Sequence, residues 1–132
     1  MGVATATMTA NAATLNSQDN TQKTEIVRGT VTISAATDTY ATGGIACTFA
    51  AGTLEQIKSS LPPTYILMWS QPAVGSPNTF LYLYSYNPGS TLANGLMQVW
   101  LGLGTGAEYG TGALTNPAAD TILFEAAFVR FL

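Results

Sequence analysis

Seven carboxylates, one thiol and six phenols are the chemically capable side chains of this chain, and it has no imidazole. The acids are Asp19, Glu25, Asp38, Glu55, Glu108, Asp120 and Glu125. Two carboxylates can hydrolyse a glycosidic bond when they converge across a cleft. Here no two acids lie closer than five positions, a spread that ordinarily solvates a surface. Without His, the Ser-His and Cys-His nucleophilic pairs are absent. A single Cys cannot build a zinc cage, and the clustered Asp and Asn of a calcium loop are missing. The sequence therefore predicts no catalytic residue, no metal site and no cofactor.

The remaining candidate motifs have plain structural readings. Cys47 lies in Ile45-Ala46-Cys47-Thr48-Phe49, on the strand face of Ile45 and Phe49. It is expected to be a small buried hydrophobe, and it has no partner for an intramolecular disulfide. Gly102, Gly104 and Gly106 give a Gly-x-Gly-x-Gly run. A nucleotide fingerprint needs a helix to follow, and Tyr109-Gly110-Thr111-Gly112 breaks any helix. Phe80, Tyr82, Tyr84 and Tyr86 line one face of a strand, and with Trp69 and Trp100 they admit two uses. One is core combined with subunit contact, since a phenol buries its ring and keeps a polar tip. The other is a sugar-stacking platform.

Composition narrows the partners. Only 8% of the residues are charged, against a usual ~25%, while 47% are hydrophobic. The surface must therefore be neutral and polar, which suits a chain that packs into an assembly. The formal net charge is −3, and the only cations are Lys23, Arg28, Lys58 and Arg130. No basic face can be drawn from four such residues, so direct nucleic-acid binding is rejected. An acidic membrane surface is disfavoured for the same reason. No stretch reaches the ~18 consecutive apolar residues of a membrane helix, and the first residues do not read as a signal peptide. The expected setting is the cytosol, or a particle assembled there.

The elements that must carry these residues are mostly strands. Residues 1–24 are rich in Ala, Thr and Asn, with Val3, Met8 and Leu15 as scattered anchors. Two readings compete, a floppy terminus and, favoured, an extended arm that orders against a partner; in either, the segment is dispensable to folding. From Glu25 the pattern changes. Val27, Val31 and Ile33 alternate with Arg28, Thr30 and Thr32, which predicts a half-buried strand. Further strands are expected at 45–49, 65–70, 79–86, 96–101 and 121–131. Turns are expected at Gly43-Gly44, Asn94-Gly95 and Asn116-Pro117. Thr53 to Leu61 is the one expected helix, with Thr53 and Gln56 as a capping box and Pro62-Pro63 as its stop. About seven short strands with almost no helix predict an all-β, antiparallel, jelly-roll-like sandwich over 25–132. Several strands are apolar on both faces, so the outer face of a sheet is expected to be covered by another subunit.

Gly29-Thr30-Val31-Thr32-Ile33-Ser34, followed by Tyr40-Ala41-Thr42-Gly43-Gly44, resembles a stretch that opens the folded domain of small tailed-phage virion proteins. The later order is also similar: a Pro-led strand from Pro63 to Trp69, an aromatic strand with Tyr82 and Tyr84, and a last strand ending Phe128 to Phe131. The resemblance is to the head decoration, or cement, proteins. It implies a β-sandwich on the capsid exterior, often trimeric, that bridges neighbouring major capsid proteins and has no catalytic residue. The Gly-rich loop after Leu101 and the Thr53–Leu61 helix depart from that pattern. The residues expected at interfaces are Val3, Met8, Leu15, Tyr82, Tyr84, Tyr86 and Trp100. The alternative expectation is a glycan- or host-binding module of a tail or fibre.

Overall fold

The computed structural model describes residues 2–11, 17–19, 24–54, 61–71, 82–102 and 106–129. Within them lie eight strands: β1 (Thr5–Ala10), β2 (Ser17–Asp19), β3 (Thr24–Ile33), β4 (Ile45–Phe49), β5 (Tyr65–Ser70), β6 (Tyr82–Asn87), β7 (Leu96–Leu101) and β8 (Ile122–Val129). Two short helices, α1 (Ala51–Leu54) and α2 (Thr115–Ala119), accompany them. Period-two alternation explains the strands. Val27, Val31 and Ile33 of β3 turn inward, as do Ile45, Cys47 and Phe49 of β4 and Met97 and Val99 of β7. Ile122, Phe124, Ala126 and Phe128 of β8 complete the set. The all-β expectation holds.

The strand order is β5-β8-β3-β1-β4-β7-β6, with β2 paired to β3 off that path. Every ladder is antiparallel except β1 with β4, which is parallel. The sheet is thus mixed, which differs from the wholly antiparallel expectation. Tracing directions around it, β5 and β6 run in opposite senses. They lie side by side, and the sheet is nearly closed as a barrel. No ladder among the described residues joins β5 to β6, so the barrel has a seam there. Inside, Phe49 meets Phe124 and Phe128 edge to face, with ring centroids 6.1 and 5.5 Å apart. β4 and β8 stand three places apart in the sheet, so these rings pack across the interior. Each such pair contributes roughly 0.5–1.5 kcal/mol beyond burial.

The main correction concerns the N-terminal segment. Residues 5–10, expected in an extended arm, form a central strand hydrogen-bonded to β3 on one side and β4 on the other. Ala4, Ala6 and Met8 are fully buried. β3 accommodates this strand closely at Gly29, where a side chain would collide with the Thr9 carbonyl and Ala10 Cα. β2 then runs on along β3. Ala10 faces Gly29 and Ser17 faces Ile26. Other parts of the expected arm, at 12–16 and 20–23, lie outside the described residues.

Two loops also differ from expectation. The Asn116-Pro117 turn is part of α2, where Pro117 is buried. The segment after the Gly-x-Gly-x-Gly run folds back on β7. Leu101 N–H donates to the Ala107 carbonyl and Tyr109 N–H to the Val99 carbonyl, both at 2.8 Å. It fills the stretch of β7 beyond the two residues that pair with β4. Of the expected 53–61 helix, residues 55–60 lie outside the described residues. Thr53 lies within α1, and its hydroxyl accepts the Ala10 N–H at 2.8 Å, fastening α1 to the end of β1.

Removing residues 1–10 takes away a strand with partners on both sides. The truncated chain is expected to lose its cooperative thermal transition and its near-ultraviolet circular dichroism. A truncated protein that still melts cooperatively would contradict this placement of β1. Met8→Ala is expected to cost about 2–5 kcal/mol, read from urea unfolding.

Candidate interaction surface

The outside of the barrel has two different sides. Over β3, β1 and β4 the outward residues are mainly threonines. Thr7 stands opposite Thr32 on one side and Thr48 on the other, and Thr9 opposite Thr30. Over β8, β5, β6 and β7 the outward residues are largely apolar. Tyr65, Leu67 and Trp69 of β5 are 44, 56 and 40% exposed, and Leu83 of β6, across the seam, is 59% exposed. Val129 and Leu96 border this side. Trp100 is half-buried on β7 opposite Leu83, and its indole N–H donates to Ser85 Oγ at 3.0 Å. Among the described residues of this side the one charged feature is the ion pair of Arg28 with Glu125, 2.9 Å apart, in the row that continues to Leu67. Arg28 is the sole cation among the described residues. An exposed pair of this kind contributes about 1 kcal/mol at most.

Three carboxylates are engaged in fixing loops. Asp120 accepts Ser70 Oγ–H at 2.7 Å and Tyr84 O–H at 2.6 Å. Ser70 ends β5 and Tyr84 lies in β6, so this single side chain bridges the seam. Glu108 accepts Tyr40 O–H at 2.6 Å and Gly43 N–H at 2.7 Å, and the Tyr40 oxygen accepts Val99 N–H. Asp38 accepts Ser34 Oγ–H at 2.8 Å and Gly2 N–H at 3.3 Å. Hydrogen-bonded in this way, the acids act as ties between segments. Among the described residues no group of three acidic or Cys side chains could hold a metal ion.

The potential nucleophiles are held protonated. Burial pushes the Cys47 thiol up to about 12, so at neutral pH it is an inert apolar side chain. Burial, and then the hydrogen bond to Glu108, pushes Tyr40 up to about 12. Burial does the same to Tyr86. Tyr84 is raised well above the usual phenol range by burial, then by Asp120. Burial also raises Tyr109.

The residues expected at interfaces fall in different places. Val3 is exposed, beside Thr39. Met8 is a correction: it is fully buried beneath β1 and can face no partner. Leu15 lies outside the described residues. Tyr82, Tyr84 and Tyr86 point inward. Tyr84 is 7% exposed, and the other two pack against the core. Tyr82 meets Tyr109 edge to face, and Tyr86 lies over Gly95, where a side chain would collide with its ring. Tyr84 turns to the core, where Asp120 gives it an acceptor, and its neighbour Leu83 takes the outer position. The exposed residues that sequence reasoning passed over are Tyr65, Leu67 and Leu83; Trp69, weighed with the aromatic stripe, is exposed beside them. A strand apolar on both faces carries no internal signal of which face is outside; the one clue was the strict Tyr-Leu-Tyr alternation. No family model, curated protein or solved structure matches this chain.

Two outcomes test this description. Asp120→Ala removes two charge-assisted hydrogen bonds and leaves the Tyr84 hydroxyl without its acceptor. It is expected to cost about 2–4 kcal/mol and to speed amide exchange in β5 and β6 more than in β3. Uniform exchange would show that Asp120 does not hold the seam. Cys47, Tyr40 and Tyr86 have folded-state values above their ordinary 9.0 and 10.0. Their stabilisation is therefore complete below pH 9 and falls as pH rises towards about 12. Phenolate absorbance from Tyr40 and Tyr86 is expected to appear together with unfolding across that window.

Proposed function

We propose that this chain is a virion structural protein that decorates the outside of a tailed-phage head and strengthens contacts between major capsid proteins. The observation that carries the reading is the outer face of β5 and β6. Leu67 and Leu83 are each more than half exposed there, on a surface with almost no charge to keep other molecules away. A large side chain of this kind gains roughly 1.5–3 kcal/mol when fully covered, and contacts repeated over a lattice combine into a durable attachment. The nearly closed barrel serves as the body that the resemblance expects of a sandwich, with its apolar and threonine sides taking the place of the two outer sheet faces. Asp38, Glu108 and Asp120, together with the Tyr40 and Tyr84 phenols, are engaged in internal ties, which favours an adhesive role over catalysis. The resemblance at Gly29–Ser34 and Tyr40–Gly44 supplies the phage setting.

The reading is tested with heads that lack their decoration. Purified protein is expected to co-sediment with such heads at a saturating, fixed ratio and to raise the temperature at which they rupture. Cryo-electron microscopy is expected to place its density on the outer shell between capsomers. Density only at the tail, or binding to a glycan array without binding to heads, would transfer the protein to the tail or fibre class.

A further inference from the structure

We propose that Asn94-Gly95, just before β7, is a modification site of this protein: it deamidates through a succinimide to aspartate and isoaspartate, and the folded β6–β7 loop holds that reaction back. Of the seven asparagines, Asn94 alone precedes a glycine; the others precede Ala, Ser, Thr or Pro. The reaction is an attack by the following backbone nitrogen on the side-chain amide carbon. A glycine, with no Cβ, leaves that approach open. Hydroxide takes the Gly95 N–H proton, the nitrogen bonds to Asn94 Cγ, and the Cγ–Nδ2 bond breaks with loss of ammonia. Water then opens the cyclic imide at either carbonyl. One opening gives aspartate. The other gives isoaspartate, in which the main chain runs through the side-chain carboxyl carbon and is lengthened by a methylene.

The fold directs the Asn94 side chain away from Gly95. Its Oδ1 accepts the Thr91 N–H at 2.9 Å, and its Nδ2 donates to Ser90 Oγ at 3.0 Å. Both contacts turn the carboxamide back towards the residues before it. Gly89 lies so close that a side chain there would collide with Asn94 Oδ1. Cyclisation must first break both hydrogen bonds, which slows it about tenfold or more against a chain without them. Asn94 itself is exposed, so water and hydroxide reach it, while Gly95 is buried. The two products fit differently. Aspartate keeps acceptor oxygens for the Thr91 N–H and the Ser90 O–H. Isoaspartate lengthens the chain directly before Gly95, where the Tyr86 ring leaves no room even for a Cβ. The Gly95 carbonyl also accepts the Cys47 N–H at 2.9 Å, and the next residue, Leu96, pairs with both Asn87 and Ala46. Isoaspartate therefore disturbs the place where β4, β6 and β7 meet.

The modification is independent of head attachment and is tested without heads. Full-length protein is aged in mildly alkaline buffer, native and in guanidinium chloride, and mapped by peptide mass spectrometry with isoaspartate detection. In the denatured chain, conversion is expected first at Asn94, with isoaspartate among the products. In the native protein the same conversion is expected about tenfold or more slower. Ser90→Ala, which frees Asn94 Nδ2, is expected to speed the native reaction several-fold and to leave the denatured rate unchanged. Ser90→Thr, which keeps a hydroxyl, is expected to stay slow. Circular dichroism establishes that each variant is folded. Asn94→Asp is expected to melt at the wild-type temperature, whereas the isoaspartate fraction purified from aged protein is expected to melt lower. A native rate equal to or above the denatured one would overturn the proposal. So would a native protein that never converts at Asn94 on prolonged ageing, or a denatured chain in which another asparagine converts first. A folded Ser90→Ala variant as slow as wild type would remove the loop as the restraint.

Discussion

The double pairing of β1 is the constraint on which the rest of this structure depends. With β3 on one side and β4 on the other, the strand brings Ala4, Ala6 and Met8 into the core. It also separates β3 from β4, which follow one another in sequence. The connection 34–44 must therefore cross an end of the barrel instead of turning tightly. That crossing lays Tyr40 against the interior, where it is 2% exposed, and gives Glu108 and Val99 their hydrogen-bond partner. Asp38 ties the same crossing to Gly2 and Ser34. One placement thus determines a strand order, a loop path and two of the three carboxylate ties.

The second organising feature is the uneven outside of the barrel. Threonines suit exposed strands because their β-branching favours extended backbone and their hydroxyls remain hydrated. They cover β3, β1 and β4 and need no partner. The β5–β6 side has no such cover, and its Leu and aromatic residues lie where, among the described residues, the sheet also lacks a ladder. Polar economy inside the barrel accounts for part of this division. Tyr84 and Ser70 both take Asp120 as acceptor, so the Tyr84 phenol turns inward and the adjacent Leu83 turns out.

Much of the sheet was legible in the sequence. β3 and β4 alternate apolar with polar or small residues, β7 and β8 are largely apolar runs bounded by turn residues, and each lies where its pattern predicts. Cys47 is buried because Ile45 and Phe49 define its face. β1 was illegible for a definite reason. Its inward residues are Ala6 and Met8, and its outward residues are threonines, so it offers little apolar mass of its own. Its burial comes from ladders on both sides, which no local pattern reports. The orientation of Tyr82, Tyr84 and Tyr86 was hidden similarly, because the deciding acceptor, Asp120, lies more than thirty positions away in sequence. The segment after Gly106 read as a loose loop because its partner is the free stretch of β7, another pairing that depends on the tertiary fold.

The position of β8 between β3 and β5 has a consequence for how the chain comes to be folded. β3 pairs with β8 across almost a hundred residues of sequence, as in Arg28 opposite Glu125. During synthesis, β1, β3 and β4 can assemble early, yet β5 has no ladder to join until Val129 has been made. A greasy half-built wall must therefore persist until the last strand arrives. Non-local pairing of this kind slows folding and prolongs exposure to wrong partners. Production at low temperature, or with a chaperone that shields nascent strands, should matter more for this chain than its modest size implies.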